Sequence, residues 1–238
     1  PLAQRAAAEG AELITMPEMF ATGFTMRSGE MAAHANAIHE FMAETAQRHG
    51  VWLIGGYAEP GDRRPANACS VSAPDGREVL HYRKIHPFSL ANESHHYEAG
   101  EGLHTVEISG VRVTPLICYD LRFPELFRAA AMATDLFVVT ANWPAHRGYA
   151  WRTLLAARAI DDQSWVLGVN RVGKVDGYPH SGDTSLLDPW GKVVATLADE
   201  PGIVAGEVAA GVVREARSRF RFLDDRRPDL YRRLEDED

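Results

Sequence analysis

Cys118 is one of only two cysteines in 238 residues. It closes the apolar run VTPLIC and is followed at once by YDLRFP, where the chain leaves a strand and turns toward a helix. A thiol attacks carbon only as thiolate, and its pKa falls beside a helix N-terminus, a lysine or a base. The carboxyl end of a core strand is also where open sheets place their ligand crevice. A small buried hydrophobe is the common fate of a free cysteine, so position alone leaves both readings standing. Two further stretches bear on the choice. TMPEMF puts Glu18 just past a strand end behind Pro17, and YRKIHPF puts Lys84 at another strand end before a proline-stiffened loop. Each alone reads as a solvated charge. Together, all three at strand ends and in the order Glu, Lys, Cys, they are far less expected by accident than any one of them alone.

The elements that must position them follow from periodicity. Strands are expected at 12–16, 51–57, 67–73, 78–84, 104–108, 111–118, 135–142, 164–170, 184–188, 192–197 and 203–208. Turn residues at 74–76 (PDG), 109–110 (SG) and 188–191 (DPWG) mark antiparallel pairs. Helices fit between the others. The stretch 37–50 lines Ile38, Phe41, Met42 and Thr45 along one face and ends on Gly50, which suits a left-handed cap. FPELFRAAAMA places Pro124 in a first turn, and YAWRTLLAARAIDDQ repeats apolar residues at helical spacing. Strands covered by helices imply a layered α/β or α+β domain. We read residues 1–238 as one domain, with 214–238, rich in Arg and Asp, as an exposed C-terminal arm.

Composition limits the function classes. With 45% hydrophobic and 24% charged residues the chain can bury a sizeable core, and its net charge of -8 lacks the basic bias of a nucleic-acid binder. Two cysteines make no disulfide framework, and no leader or membrane-spanning run is evident. A reduced, cytoplasmic protein is the expectation. His95 and His96, adjacent in a segment read as extended, would point apart, and no further ligand spacing completes a metal site. No G-x-S-x-G elbow or phosphate loop is present.

ELITMPEMFATGF, HYRKIHPF, LICYDLRFPELFR, ANWPAHRGYAWRTLLAARAIDDQ and GDTSLLDPWGKV together resemble the nitrilase superfamily of carbon-nitrogen hydrolases over nearly the whole chain. PEMFATGF, IHPFSLANESHHY and ANWPAHR are most similar to its ω-amidase branch, which hydrolyses the terminal amide of short 2-oxo dicarboxylic acid monoamides. The resemblance implies a four-layer α-β-β-α sandwich, a Glu18–Lys84–Cys118 triad and no cofactor. It also implies that Glu18 acts as base and acid, and that Lys84 and the Tyr119 backbone N–H stabilise the oxyanion. Glu93 resembles an additional glutamate that orients Lys84 or the substrate amide; an exposed loop carboxylate is the equal alternative. A lysine beside a carboxylate favours its charged form, so a glutamate that must carry a proton calls for an enclosed pocket.

A distal carboxylate on the substrate calls for an arginine fork. Arg147 is the first candidate; Arg122 reads instead as tied to Glu125 or Asp120. Phe24 and Trp143 are read as pocket walls, with plain packing of loop aromatics the equal alternative. Family members commonly dimerise through the helices after the nucleophile, so a homodimer with a small-molecule amide substrate is expected, without nucleic acid or membrane. Members usually begin with a strand that this sequence lacks, since it opens inside the following helix, and Asp161 and Asp162 stand where relatives show Glu and Asn. An N-carbamoyl amine hydrolase or nitrilase on the same fold, and a non-catalytic dimeric interaction module, are the alternatives.

Overall fold

The computed structural model describes residues 1–175 and 177–236. The chain opens with helix α1 (Leu2–Ala8) and strand β1 (Leu13–Thr15), then α2 (Ser28–Ala32), α3 (Ala35–His49), β2 (Trp52–Glu59), β3 (Ala66–Ser72) and β4 (Glu78–Arg83). A single-turn α4 (Glu93–His96) leads to β5 (Val106–Ile108) and β6 (Val111–Ile117), followed by α5 (Pro124–Ala130), β7 (Leu136–Ala141) and α6 (Gly148–Asp162). Strands β8 (Trp165–Asn170), β9 (Val172–Val175), β10 (Tyr178–Ser181), β11 (Thr184–Leu187) and β12 (Val193–Leu197) precede α7 (Ala210–Arg219) and α8 (Pro228–Asp236).

Two sheets form the centre. One has the order β1-β2-β3-β4, the other β12-β11-β8-β7-β6-β5. Ile54, Val71 and Tyr82 of the first sheet share a buried core with Ile117 and Val138 of the second. On the outer face of the first sheet, Ile38, Met42 and Ala46 of α3 cover Leu53 and Tyr57. On the outer face of the second, Trp151, Leu155 and Ala159 of α6 share a core with Phe127 of α5 and Val166. This is the four-layer α-β-β-α sandwich, and each fully buried side chain of this size is worth about 1.5–3 kcal/mol. The three expected turns do connect antiparallel neighbours: β3 with β4, β5 with β6 and β11 with β12.

Strand direction decides where the site lies. β1 runs parallel to β2, and β6, β7 and β8 run parallel to one another. β4, antiparallel to β3, which is antiparallel to β2, points the same way as β1 and β2. Glu18, Lys84, Cys118 and Asn142 therefore all leave carboxyl ends of strands on one rim.

The structure corrects several expectations. Residues 203–208 alternate like a strand but join no ladder among the described residues, and a strand exists only through its inter-strand bonds. The β9–β10 hairpin was not anticipated because Gly173, Gly177 and Pro179 interrupt its alternation. Phe41 is 49% exposed at the edge of the α3 stripe, against the ring of Phe20. His95 and His96 lie in the helical turn α4 rather than in extended chain. Residues 214–219, expected to open an exposed arm, continue helix α7 and are exposed except at Ala216 and Arg217. Ala216 is buried, and the Arg217 guanidinium donates to the carbonyls of Ala131, Thr134 and Asp162, tying α7 to the turns that precede β7 and β8.

Candidate active site

Cys118 begins a 3-10 turn (Cys118–Arg122) directly after β6, with φ at +48°. A non-glycine residue in this left-handed region stores strain of order 1–3 kcal/mol. Asp120 holds the turn: its carboxylate accepts hydrogen bonds from the Tyr82 hydroxyl (2.7 Å) and from the backbone N–H groups of His86 (2.9 Å) and Ile117 (3.2 Å). The chain is thus pinned on both sides of the sulfur. The turn then feeds into α5 through Pro124, as the sequence suggests.

Glu18 and Lys84 are each 1% exposed, and Glu93 is wholly buried, so the loop-carboxylate reading of Glu93 does not hold. The Lys84 Nζ donates to Glu18 Oε1 at 3.0 Å and to Glu93 Oε2 and Oε1 at 2.8 and 3.1 Å. Burial works against the ammonium charge, but the two carboxylates outweigh it and hold Lys84 protonated well above its ordinary range. Glu93 is fixed in turn by the backbone N–H of Phe88. Gly56 of β2 runs so close to the Glu18 backbone that a Cβ there would come within 2.9 Å of Glu18 Cα, which accounts for a glycine in mid-strand.

The thiol behaves differently from the sequence expectation. Desolvation, reinforced by the nearby Glu18 carboxylate, pushes the Cys118 pKa well above its ordinary value; Lys84 and the Asn142 N–H offset this only in part. The thiol is therefore protonated at neutral pH and needs a base to become a nucleophile. The second cysteine, Cys69, is fully buried in the core, where desolvation raises its pKa and makes it inert.

Two asparagines complete the cluster, and sequence reasoning missed both. Asn67 of β3 donates from Nδ2 to Glu18 Oε1 (2.7 Å) and to Glu93 Oε1 (2.9 Å). Asn142, just past β7, donates its backbone N–H to Glu18 Oε2 (2.8 Å) and its Nδ2 to the Glu18 carbonyl (2.6 Å). Arg171 Nη1 donates to Asn142 Oδ1 at 3.3 Å, fixing which way that amide faces. The signals were present: asparagine is depleted in strand interiors, and Asn142 stands at a strand end like Cys118.

Among the residues read as pocket walls, Phe24 lies with its ring centroid 5.5 Å from Lys84 Nζ. Trp143 is buried against Trp151, and its indole donates to the Arg147 carbonyl. Tyr119 packs against Phe88 at 4.9 Å, and the Arg147 guanidinium stands 5.2 Å over that same Phe88 ring. Arg122 forms no ion pair with Glu125 or Asp120; it stacks on Trp143 at 4.9 Å, because Asp120 is saturated by other donors. Neither arginine has a carboxylate partner among the described residues. No group of three or more His, Cys, Asp or Glu residues there is arranged to hold a metal ion.

The arrangement can carry out acyl transfer: a thiol, a buried carboxylate in a network of donors, and a fixed cation share one rim. The sequence family described as Carbon-nitrogen hydrolase matches residues 1–218. The omega-amidase of Yersinia enterocolitica is 38% identical over 90% of this chain and 84% of its own length. The 2-oxoglutaramate amidase of Bacillus subtilis is 32% identical over 93% of this chain and 87% of its own. Among solved structures, a carbon-nitrogen hydrolase superfamily protein from Xanthomonas campestris, with an arsenic adduct in its active site, superposes with a TM-score of 0.87. It is 31% identical, over 94% of this chain and 88% of that one.

Proposed function

The chain belongs to the carbon-nitrogen hydrolase family, and from that premise we propose that it is an ω-amidase, hydrolysing the terminal amide of short 2-oxo dicarboxylic acid monoamides through a thioester on Cys118. The observation that carries this reading is the buried cluster in which Lys84 bonds Glu18 at 3.0 Å and Glu93 at 2.8 Å on the rim that Cys118 shares.

Glu18 Oε1 already accepts from Asn67 and Lys84, whereas Oε2 accepts from the Asn142 backbone N–H alone at good distance. Oε2 therefore has a lone pair for the thiol proton. As it takes that proton, sulfur bonds to the amide carbon and the carbonyl π pair moves onto oxygen. The Lys84 ammonium and the Tyr119 backbone N–H stabilise this oxyanion, and losing such a donor costs about 2.7–4 kcal/mol. The intermediate collapses with cleavage of C–N, Glu18 returns its proton to nitrogen, and ammonia leaves. Glu18 then takes a proton from water, whose oxygen attacks the thioester; C–S cleavage releases the 2-oxo acid and the thiolate is reprotonated. Lys84 stays protonated throughout.

Phe24 and Trp143 line the substrate pocket in this reading. Arg147 and Arg122, both poised on aromatic rings without acidic partners, bind the distal carboxylate, with Arg as the residue of choice for a planar anion. Residues 1–238 act as one hydrolase domain in a homodimer, supported by the exposed apolar residues Ile160, Trp190 and Phe220 beside α6. Two free cysteines fit a reducing, cytoplasmic setting.

The test is ammonia release from 2-oxosuccinamate and 2-oxoglutaramate at neutral pH with chelator present. The parent should release ammonia and a folded Cys118→Ala variant should lose at least about a thousandfold of that rate. Release from N-carbamoyl amines or nitriles instead, by a parent silent on both amides, would replace the substrate assignment.

A further inference from the structure

Asn67 is 1% exposed and spends its single Nδ2 on two carboxylates, 2.7 Å from Glu18 Oε1 and 2.9 Å from Glu93 Oε1, while its Oδ1 is left without a partner. An amide facing two carboxylate oxygens must present its nitrogen, which carries two hydrogens, one for each. A buried oxygen without a donor is costly, so the sequence tolerates a defect to hold this orientation. Both acids face this one nitrogen and the one Lys84 ammonium, and two carboxylates in a single site tend to take up a proton.

We propose that Asn67 is a positioning residue for the reaction: it keeps the inner oxygens of Glu18 and Glu93 as acceptors, so that the two acids cannot pool a proton and Glu18 trades its proton only through Oε2. Oε1 of Glu18 has both its lone pairs occupied, by Asn67 at 2.7 Å and Lys84 at 3.0 Å, whereas Oε2 has one short bond, from the Asn142 backbone N–H at 2.8 Å, and only a long one, at 3.5 Å, from the Asn142 Nδ2. The outer oxygen alone serves the thiol, the departing nitrogen and the water. The amide itself faces Glu18 after β1 and Glu93 in α4; Lys84 after β4 donates to the same two acids, and the charges of these acids reach the Cys118 thiol after β6 and the Tyr97 hydroxyl. Asn67 touches no reacting atom in this arrangement. The inference rests on Glu18 being the base for Cys118.

The test uses two readouts, one of which needs no substrate. In the full-length protein, the rate at which iodoacetamide alkylates Cys118, located by mass spectrometry to separate it from Cys69, is followed against pH for the parent, Asn67→Ala and Asn67→Ser. Without the amide the carboxylate pair takes up a proton at higher pH, so the acid-side midpoint of the alkylation rate should move upward by about one pH unit in Asn67→Ala. It should move less in Asn67→Ser, which retains one donor. For whichever amide the parent hydrolyses, kcat should fall roughly 10–100-fold with KM changed less than about threefold. Thermal melts identify which variants are folded, and either folded variant suffices. An unmoved midpoint in a folded variant overturns the inference, whatever happens to kcat. A shifted midpoint in a protein that releases no ammonia from either oxo-acid amide upholds it while overturning the substrate reading.

Discussion

Lys84 is the residue on which the local charge balance turns. Its ammonium is 1% exposed and lies within 3.0 Å of Glu18 and 2.8 Å of Glu93. Removing one partner of a buried ionic group costs roughly 3–5 kcal/mol, because the remaining charge stays buried without compensation. Lys84→Met should accordingly lose about that much stability by urea denaturation at neutral pH as well as losing activity. A methionine variant that melts like the parent would show that water or protons already reach the two acids freely. The strand-end position of Lys84 was legible in the local pattern, since YRK runs into a proline loop. Its double pairing was not, because Glu93 meets it only through the folding of the loop between them.

At the scale of elements, α6 shows a local rule broken. Asp162 closes the helix, where the macrodipole disfavours an acid. Burial, with Asp161 adding to it, raises its pKa to about 6 against the pull of Arg128. The ion pair to Arg128 at 3.1 Å is poorly aligned and leaves Asp162 Oδ1 without a hydrogen bond. An acid with a raised folded pKa binds its proton more tightly in the native state. The unfolded carboxyl ionises near pH 4, so the native state loses ground between pH 4 and about 6 and the deficit is constant above that. Asp162→Asn should therefore stabilise the protein by about 2–3 kcal/mol at pH 7, with most of the gain lost by pH 4. Thermal melts across that range check it, and a gain independent of pH would assign the effect to the helix end alone. The acid at this position was visible in ARAIDDQ, but its burial by α5 and α7 was not.

The whole molecule carries several acids that its interior keeps protonated. Cys118, Cys69, Tyr57 and Tyr82 all have pKa values raised chiefly by desolvation, and Lys84 is held protonated by its two acids. Above pH 8.5 the unfolded chain releases protons that the native state retains, so stability falls as pH rises, by up to about 1.4 kcal/mol per unit for each thiol. The parent should lose melting temperature steadily from pH 8 to 10, and Cys118→Ala should lose less; equal slopes would place the sulfur in water. The sequence by itself determined ten of the twelve described strands, three of their turns, and the three strand-end residues Glu18, Lys84 and Cys118, because hydrophobic periodicity and turn chemistry act within a few residues of chain. Only the tertiary structure decided that Asn67 and Asn142 serve Glu18 across 49 and 124 residues of chain, that Arg122 stacks on Trp143 rather than pairing with an acid, and that residues 203–208 form no strand. Those outcomes depend on which strand ends meet on one rim and which backbone groups find a partner, and no local pattern encodes either.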